Sequence, residues 1–247
     1  MRIRPALPLV IAVAMVASGC GGSSGGSGDP PEPAFQADRF AADSATVDNP
    51  YFPLIPGTTY VLEGDTEEGR ERNEVSVSHD TREILGVLCA VVVDRVYLDG
   101  ELVEETFDWY AQDMDGNVWY MGEDSREYEG GEVVSTAGSW EAGRDVAGLG
   151  TAAQPGIIMK GAPRVGDSYR QEYYEGEAED MALVVAADET VTLADGTIYE
   201  HCLETREWSP LEPDVVEHKY YAPGVGVVLE ALEDGSERME LVSVPSP

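Results

Sequence analysis

Four landmarks recur along the chain at nearly constant spacing, and that spacing restricts the fold more than any other feature of the sequence. Pro56-Gly57-Thr58-Thr59-Tyr60 has a counterpart in Val165-Gly166-Asp167-Ser168-Tyr169, Cys89 in Cys202, Trp109-Tyr110-Ala111 in Tyr220-Tyr221-Ala222, and Asp124 in Asp234. The offsets are 109, 113, 111 and 110 residues. A Gly-bearing turn follows each aromatic pair, Asp115-Gly116-Asn117 and then Pro223-Gly224-Val225-Gly226. Self-similarity at a fixed period marks a repeated supersecondary unit that buries its apolar face against a copy of itself. It predicts two similar units, about 50–140 and 163–245, joined by a Gly-, Ala- and Pro-rich link from Glu141 to Pro163. Units that share one core would make a pseudo-symmetric curved antiparallel sheet, half-barrel or barrel. The alternative is two small separate domains.

Within each unit the chain reads as strands and tight turns. Arg72–Ser78 alternates, Val87–Leu98 is a β-branched run, and Leu102–Tyr110 mixes apolar and acidic residues with Phe107 and Trp109 on one face. Val118–Met121, Glu132–Ser135, Ser168–Tyr174, Thr197–Glu207, Val215–Tyr221, Val225–Leu232 and Arg238–Val244 behave similarly. Between them lie Asp99-Gly100, Gly130-Gly131, Asp195-Gly196 and Asp234-Gly235, turns in which Gly and Asp accept the positive φ of a hairpin. Only Phe35–Thr46 and Glu177–Ala187 offer a short helical pattern, so the fold class is all-β.

The N-terminus carries an address. Arg2 and Arg4 precede an apolar run of about a dozen residues, too short to span a bilayer, and then Ala17-Ser18-Gly19-Cys20. Val16–Cys20 resembles the lipobox of bacterial lipoproteins. The resemblance implies cleavage after Gly19, diacylglycerol on the Cys20 thiol, and residence at the extracytoplasmic face of a membrane in the cell envelope. Acyl chains on that residue would anchor stably, at ~0.8 kcal/mol per buried CH₂. The division that follows is 1–19 as a cleaved signal, 20–49 as a lipidated Gly/Ser/Pro-rich tether, and 50–247 as the β domain. Gly22-Ser23-Ser24-Gly25-Gly26 fits the G-x-S-x-G pattern of hydrolases but lies in the tether and not between a strand and a helix.

The chain has 48 acidic and 15 basic residues, a net charge of −33, and only two lysines, Lys160 and Lys219. Such acidity, spread over the domain, reads as a solvated surface. It excludes nucleic acid and a direct grip on anionic headgroups as partners, and leaves a basic protein as one candidate. Beyond Cys20 the chain holds Cys89 and Cys202, an even pair in an oxidising compartment. A disulfide between them would close a loop worth about 4–5 kcal/mol in the chain-entropy picture; two buried free thiols are the alternative.

Tyr51-Phe52-Pro53-Leu54-Ile55-Pro56-Gly57-Thr58-Thr59-Tyr60 resembles the "PLxxGxxWxY" opening of a broad set of uncharacterised bacterial secreted and lipoprotein domains, with Thr59 in place of the usual aromatic. Tyr220-Tyr221-Ala222-Pro223-Gly224-Val225-Gly226-Val227-Val228 resembles their closing "YYAxGVGLV" strand pair. That resemblance implies a curved antiparallel sheet like the half-barrels of periplasmic lipoprotein carriers. It implies no activity and no catalytic residues.

The residues themselves show no catalytic set. His79, His201 and His218 lack zinc-ligand spacing, and no C-x₂-C occurs, so no metal and no cofactor are expected. Asp113-Met114-Asp115-Gly116-Asn117 has calcium-loop composition, but its glycine falls at loop position four and position twelve is Asp124, so it reads as a hairpin turn. With 48 acids a carboxylate pair for a hydrolase can always be found, which deprives the pairing of weight. The expected function is a non-catalytic, membrane-anchored binding module for a small or apolar ligand, with Phe107, Trp109 and Tyr220 lining the site. Core packing is the plain alternative role for those aromatics. An envelope lipoprotein that meets a basic partner through its acidic surface is the second functional reading, and a hydrolase the third.

Overall fold

The computed structural model describes residues 30–243. The signal segment and Cys20 lie outside the described residues. Fifteen strands follow one short 3-10 turn, Ala37–Arg39. They are β1 (Thr59–Asp65), β2 (Arg70–Ile84), β3 (Val87–Leu98), β4 (Glu101–Gln112), β5 (Val118–Glu129), β6 (Glu132–Ser135), β7 (Trp140–Glu141), β8 (Gln154–Met159), β9 (Ser168–Arg170), β10 (Glu172–Tyr173), β11 (Met181–Thr192), β12 (Ile198–Trp208), β13 (Val216–Ala222), β14 (Gly226–Leu232) and β15 (Arg238–Ser243). Their order in the sheet is β10-β8-β5-β4-β3-β2-β1-β15-β14-β13-β12-β11-β9, with β6 and β7 attached to β5. The two ends of this path belong to one bent chain segment. β9 pairs with β11, β10 pairs with β8, and only Gln171 separates them. At the bend the N–H groups of Gln171 and Glu172 both donate to the Asp180 carbonyl, at 2.7 and 3.3 Å. The sheet thereby curls into an antiparallel barrel without a long free edge, which removes the template for edge-to-edge pairing.

The two repeat units occupy opposite halves of this one barrel. Each is a meander of five strands plus a sixth that pairs with the fifth and reaches across to the first strand of the other half. β8 does so between β5 and β10, and β15 between β14 and β1. The entry turns match bond for bond. Thr58 N–H donates to the Ile55 carbonyl, Gly57 N–H to Val77, and Val77 N–H to Thr58; Asp167, Gly166 and Val184 repeat this with Arg164, Val184 and Asp167. Gly57 and Gly166 both adopt positive φ, +86° and +93°, which explains the glycine at that landmark.

Three expectations change. The segment 30–49 is not all tether: Phe35 and Phe40 pack on Trp119, and Asn49 Nδ2 donates to the carbonyls of Gly116 and Lys160 at 2.9 and 3.1 Å. The helical pattern at Glu177–Ala187 gives way to strand from Met181, because β11 finds hydrogen-bonding partners on both sides, β12 and β9. The disulfide between Cys89 and Cys202 is absent. The thiols are free and buried in separate core clusters, and their strands, β3 and β12, lie on different sides of the barrel. β3 and β12 are not neighbours in the sheet, whereas a disulfide needs Cα atoms within about 7 Å.

Each place where the halves join carries a glycine. A Cβ on Gly156 of β8 would overlap the Gln171 carbonyl, and one on Gly64 of β1 would overlap the Arg238 carbonyl. We predict that Gly156→Ala and Gly64→Ala each lower stability by at least about 2 kcal/mol, as overpacking against backbone does. Chemical denaturation checks this, and an unchanged midpoint in either variant would show that the seam tolerates a wider spacing.

Candidate functional site

Alternation along the strands sends carboxyl groups into the barrel. On β4, Glu104, Thr106, Asp108 and Tyr110 are all buried, as are Asp94 on β3, Glu123 on β5, Glu172 on β10, Glu207 on β12 and Glu230 on β14. The acidic composition is therefore not only a solvated surface. A buried carboxylate needs a cation, a donor or a proton, and the two halves meet that need differently.

In the second half Lys219 on β13, 7% exposed, meets part of that need, and Glu230 beside it is still pushed well above its ordinary value by burial. The Lys219 ammonium lies 3.2 Å from Glu207, 3.3 Å from Glu217 and 4.0 Å from Glu230, the last an ion contact too long for a hydrogen bond. Thr205 and Tyr221 donate to Glu207 at 2.7 and 3.1 Å. Burial opposes the charge on Lys219, but the three carboxylates outweigh it and raise its pKa well above the usual lysine range.

The register of the first half matches, with other side chains. Thr205 faces Lys219 and Lys219 faces Glu230, as Val92 faces Asp108 and Asp108 faces Glu123. One pair along, Glu207 faces Glu217 as Asp94 faces Thr106. Asp108 thus occupies the position that Lys219 holds in the other half, and it brings another negative group where a cation would be. Tyr120 OH lies 2.6 Å from Asp108 Oδ1 and 2.9 Å from Glu123 Oε2. The phenol has one proton for two carboxyls, so the second contact is a hydrogen bond only when one carboxyl is itself protonated. The surroundings favour that state. Burial raises Asp108 to about 7, against the hydrogen bond from Tyr120, and raises Glu123 well above its ordinary value with Glu172 and Asp108 adding to the shift. Burial, then Asp108, does the same to Asp94; burial, then Asp94, takes Glu104 to about 9. Asp94 Oδ1 and Glu123 Oε1 are buried without a hydrogen-bond partner.

Asp108 also lines a cavity of about 60 Å³ at the barrel mouth. Its walls include Phe52, Tyr60, Val75, Val92 and Tyr110, and Asp108 is the only carboxyl among them. Phe52 packs edge-on against Tyr110 at 5.2 Å, Tyr110 stacks on Tyr120 at 4.8 Å, and Tyr120 meets Trp140 at 5.3 Å. The rim joins the segment 50–54 to the β13–β14 turn, where Gly224 N–H donates to the Pro50 carbonyl at 2.6 Å. The arrangement can accept an apolar group and offer it one hydrogen-bonding or charged anchor. It does not assemble a nucleophile with a base.

The three aromatics expected at the site are elsewhere. Phe107 and Trp109 alternate with the inward residues of β4 and lie beneath Arg126 and Arg82, whose guanidinium carbons stand 5.4 and 4.0 Å from the ring centres. Tyr220 donates to Glu204 at 3.0 Å beside His218. The expectation was one residue out of phase: Asp108, Tyr110 and Tyr221 face inward instead. The readable signal was the repeat itself, which aligns Asp108-Trp109-Tyr110-Ala111 with Lys219-Tyr220-Tyr221-Ala222 and so reverses a charge at one register position. Asp113, from the calcium-like run, accepts hydrogen bonds from the N–H groups of Asp115 and Asn117, from Asn117 Nδ2 and from the Trp119 indole, as a turn-stabilising aspartate does.

The sequence matches no protein-family model and no curated protein. Among solved structures, a protein described as exported, with a YMCC-like fold, from Bacteroides fragilis NCTC 9343 is similar at 16% identity and a TM-score of 0.41, over 79% of this chain and 99% of that one. A protein described as a lipoprotein from Parabacteroides distasonis ATCC 8503 is similar at 12% identity and a TM-score of 0.34, over 78% and 97% of the two chains. The functional reading rests on the chain's own residues.

Carboxyls whose folded pKa is raised bind more protons in the folded than in the unfolded chain between their ordinary values and the raised ones. Their contribution to stability is present at acid pH and is lost as pH climbs to about 7 for Glu71, Asp108 and Asp180 and about 9 for Glu104. We predict that the free energy of unfolding falls by at least about 2 kcal/mol between pH 5 and pH 8, and that Asp108→Asn flattens the fall. Denaturant titrations across that range check both statements; stability that rises with pH would contradict them.

Proposed function

We propose that this protein is a lipid-anchored, extracytoplasmic β-barrel that binds the end of a small apolar ligand in the cavity at its mouth and performs no chemistry on it. The observation that carries this reading is the apolar cavity closed by one carboxyl, Asp108. Its volume is about 60 Å³. That is well below the 300–1,000 Å³ typical of sites that engulf a ligand. The cavity seats a terminus, and the rest of the ligand extends past Pro53, Leu54 and Val225 at the rim. The anchor is supported by the lipobox-like run ending at Cys20 and the Gly/Ser stretch after it.

The reading of an acidic surface built for a basic partner is weakened by the many carboxyls that point inward. Several that remain outside are already matched: Glu63 with Arg70 and Arg72, Glu105 with Arg95, and Glu141 with Arg82.

The test uses Cys20→Ala protein produced in the native host. It should leave the membrane fraction, and native mass spectrometry should find a small molecule on it that a Cys20→Ala, Val92→Trp variant, with the cavity filled, does not retain. Protein that still sediments with membranes would overturn the anchor. Each variant appearing only at its own ligand-free mass would overturn the binding role.

A further inference from the structure

The carboxyl at the floor of the cavity also says which ligand end belongs there. We propose that the cavity takes a primary alkylammonium, its head against Asp108 and its chain leading out past Phe52 and Val227. This rests on reading the cavity as a ligand site and adds the chemical class.

The barrel supplies its own precedent. At the matching register position of the second half, an ammonium carried by the chain, Lys219, sits among Glu207, Glu217 and Glu230. The first half presents Asp94, Asp108 and Glu123 at corresponding places, with no lysine at the register position that Lys219 fills opposite. Asp94 Oδ1 and Glu123 Oε1 of this group are buried and lack a hydrogen-bond partner, as Glu230 Oε1 does in the second half. Asp108 itself accepts a hydrogen bond from Tyr120 on Oδ1. The cavity that Asp108 lines opens beside this group, so an ammonium entering it would play the part of the lysine.

The opposite charge is excluded by the same geometry. A carboxylate or phosphate head would lose its hydration and meet Asp108, backed by Glu123 and Asp94, with no donor among the lining side chains beyond the hydroxyls of Tyr60 and Tyr110. A neutral alcohol would find an acceptor but not a counter-ion. Charge-assisted hydrogen bonds are roughly twice as strong as neutral ones. The aromatic rings of Phe52, Tyr60 and Tyr110 in the same wall are surfaces that attract an ammonium further.

Calorimetric titration of the Cys20→Ala protein with octylamine, octanoate and octanol separates the outcomes. It is run at pH 8 in high salt, so that the acidic exterior is screened. Octylamine should bind at one site at least about tenfold tighter than octanol, with no measurable octanoate binding. Asp108→Asn should bring octylamine to the level of octanol and leave octanol unchanged, and Val92→Trp should abolish both. Octanoate binding as tightly as octylamine, or octylamine binding indifferent to Asp108→Asn, would overturn the ammonium assignment while the cavity remained a ligand site. Failure of all three amphiphiles to bind would overturn the cavity reading itself.

Discussion

A carboxylate taken out of water must find a cation, a donor or a proton, and the interior of this barrel is organised around that requirement. In the second half Lys219 draws Glu207, Glu217 and Glu230 into one ionic cluster. In the first half Asp108 stands where the lysine would be. The pair Asp108 and Glu123 divides one phenol, that of Tyr120, and is left to hold a proton. Removing one partner from a buried ion cluster typically costs 3–5 kcal/mol because it strands a charge. The two halves therefore cannot be exchanged residue for residue, although their strands match in order and, around Asp108 and Lys219, in register. What looks from composition like an acidic coat is in part an internal ionic architecture.

The barrel makes that architecture tenable by burying the strand faces that carry it. Closure depends on short-range fits. The bent segment 168–173 hands its pairing from β11 to β8 at Gln171, and Gly156 and Gly64 let the halves approach at their two junctions. At the mouth, the segment 50–54 and the β13–β14 turn cover the interior incompletely, leaving the apolar cavity with Asp108 at its floor. The carboxyl that meets this apolar opening, Asp108, thus comes from the half without the lysine. That asymmetry between otherwise similar halves is what gives the site its chemical character.

Much of the fold was legible because hydrophobic alternation and turn residues are local signals. Val87–Leu98 and Glu132–Ser135 fall on β3 and β6 residue for residue, and Asp99-Gly100 makes a hairpin turn with both residues at positive φ. The offset of about 110 residues anticipated two units of like topology. What failed was non-local. β8 contains Pro155 and Gly156, which discourage a strand assignment, and only the close approach to Gln171 explains the glycine. β11 opens with Met181-Ala182-Leu183-Val184, which suits a helix until two neighbouring strands claim its backbone. The site residues were missed by one position because alternation gives two faces without saying which is inside. On β4 the face with Phe107 and Trp109 was the natural choice for an interior, yet Arg126 and Arg82 cover it, and the acidic face turns inward.

The central claim is that Asp108 and Glu123 hold a proton between them at the register position where the second half holds Lys219. Infrared spectroscopy of protein labelled with ¹³C at the aspartate and glutamate carboxyls reads this directly, since protonated and ionised carboxyls absorb at separate positions. At pH 7 the account predicts a protonated-carboxyl band that weakens in Glu123→Gln and in Asp94→Asn, with no such weakening in Glu217→Gln. A spectrum at pH 7 showing every carboxyl ionised would contradict it.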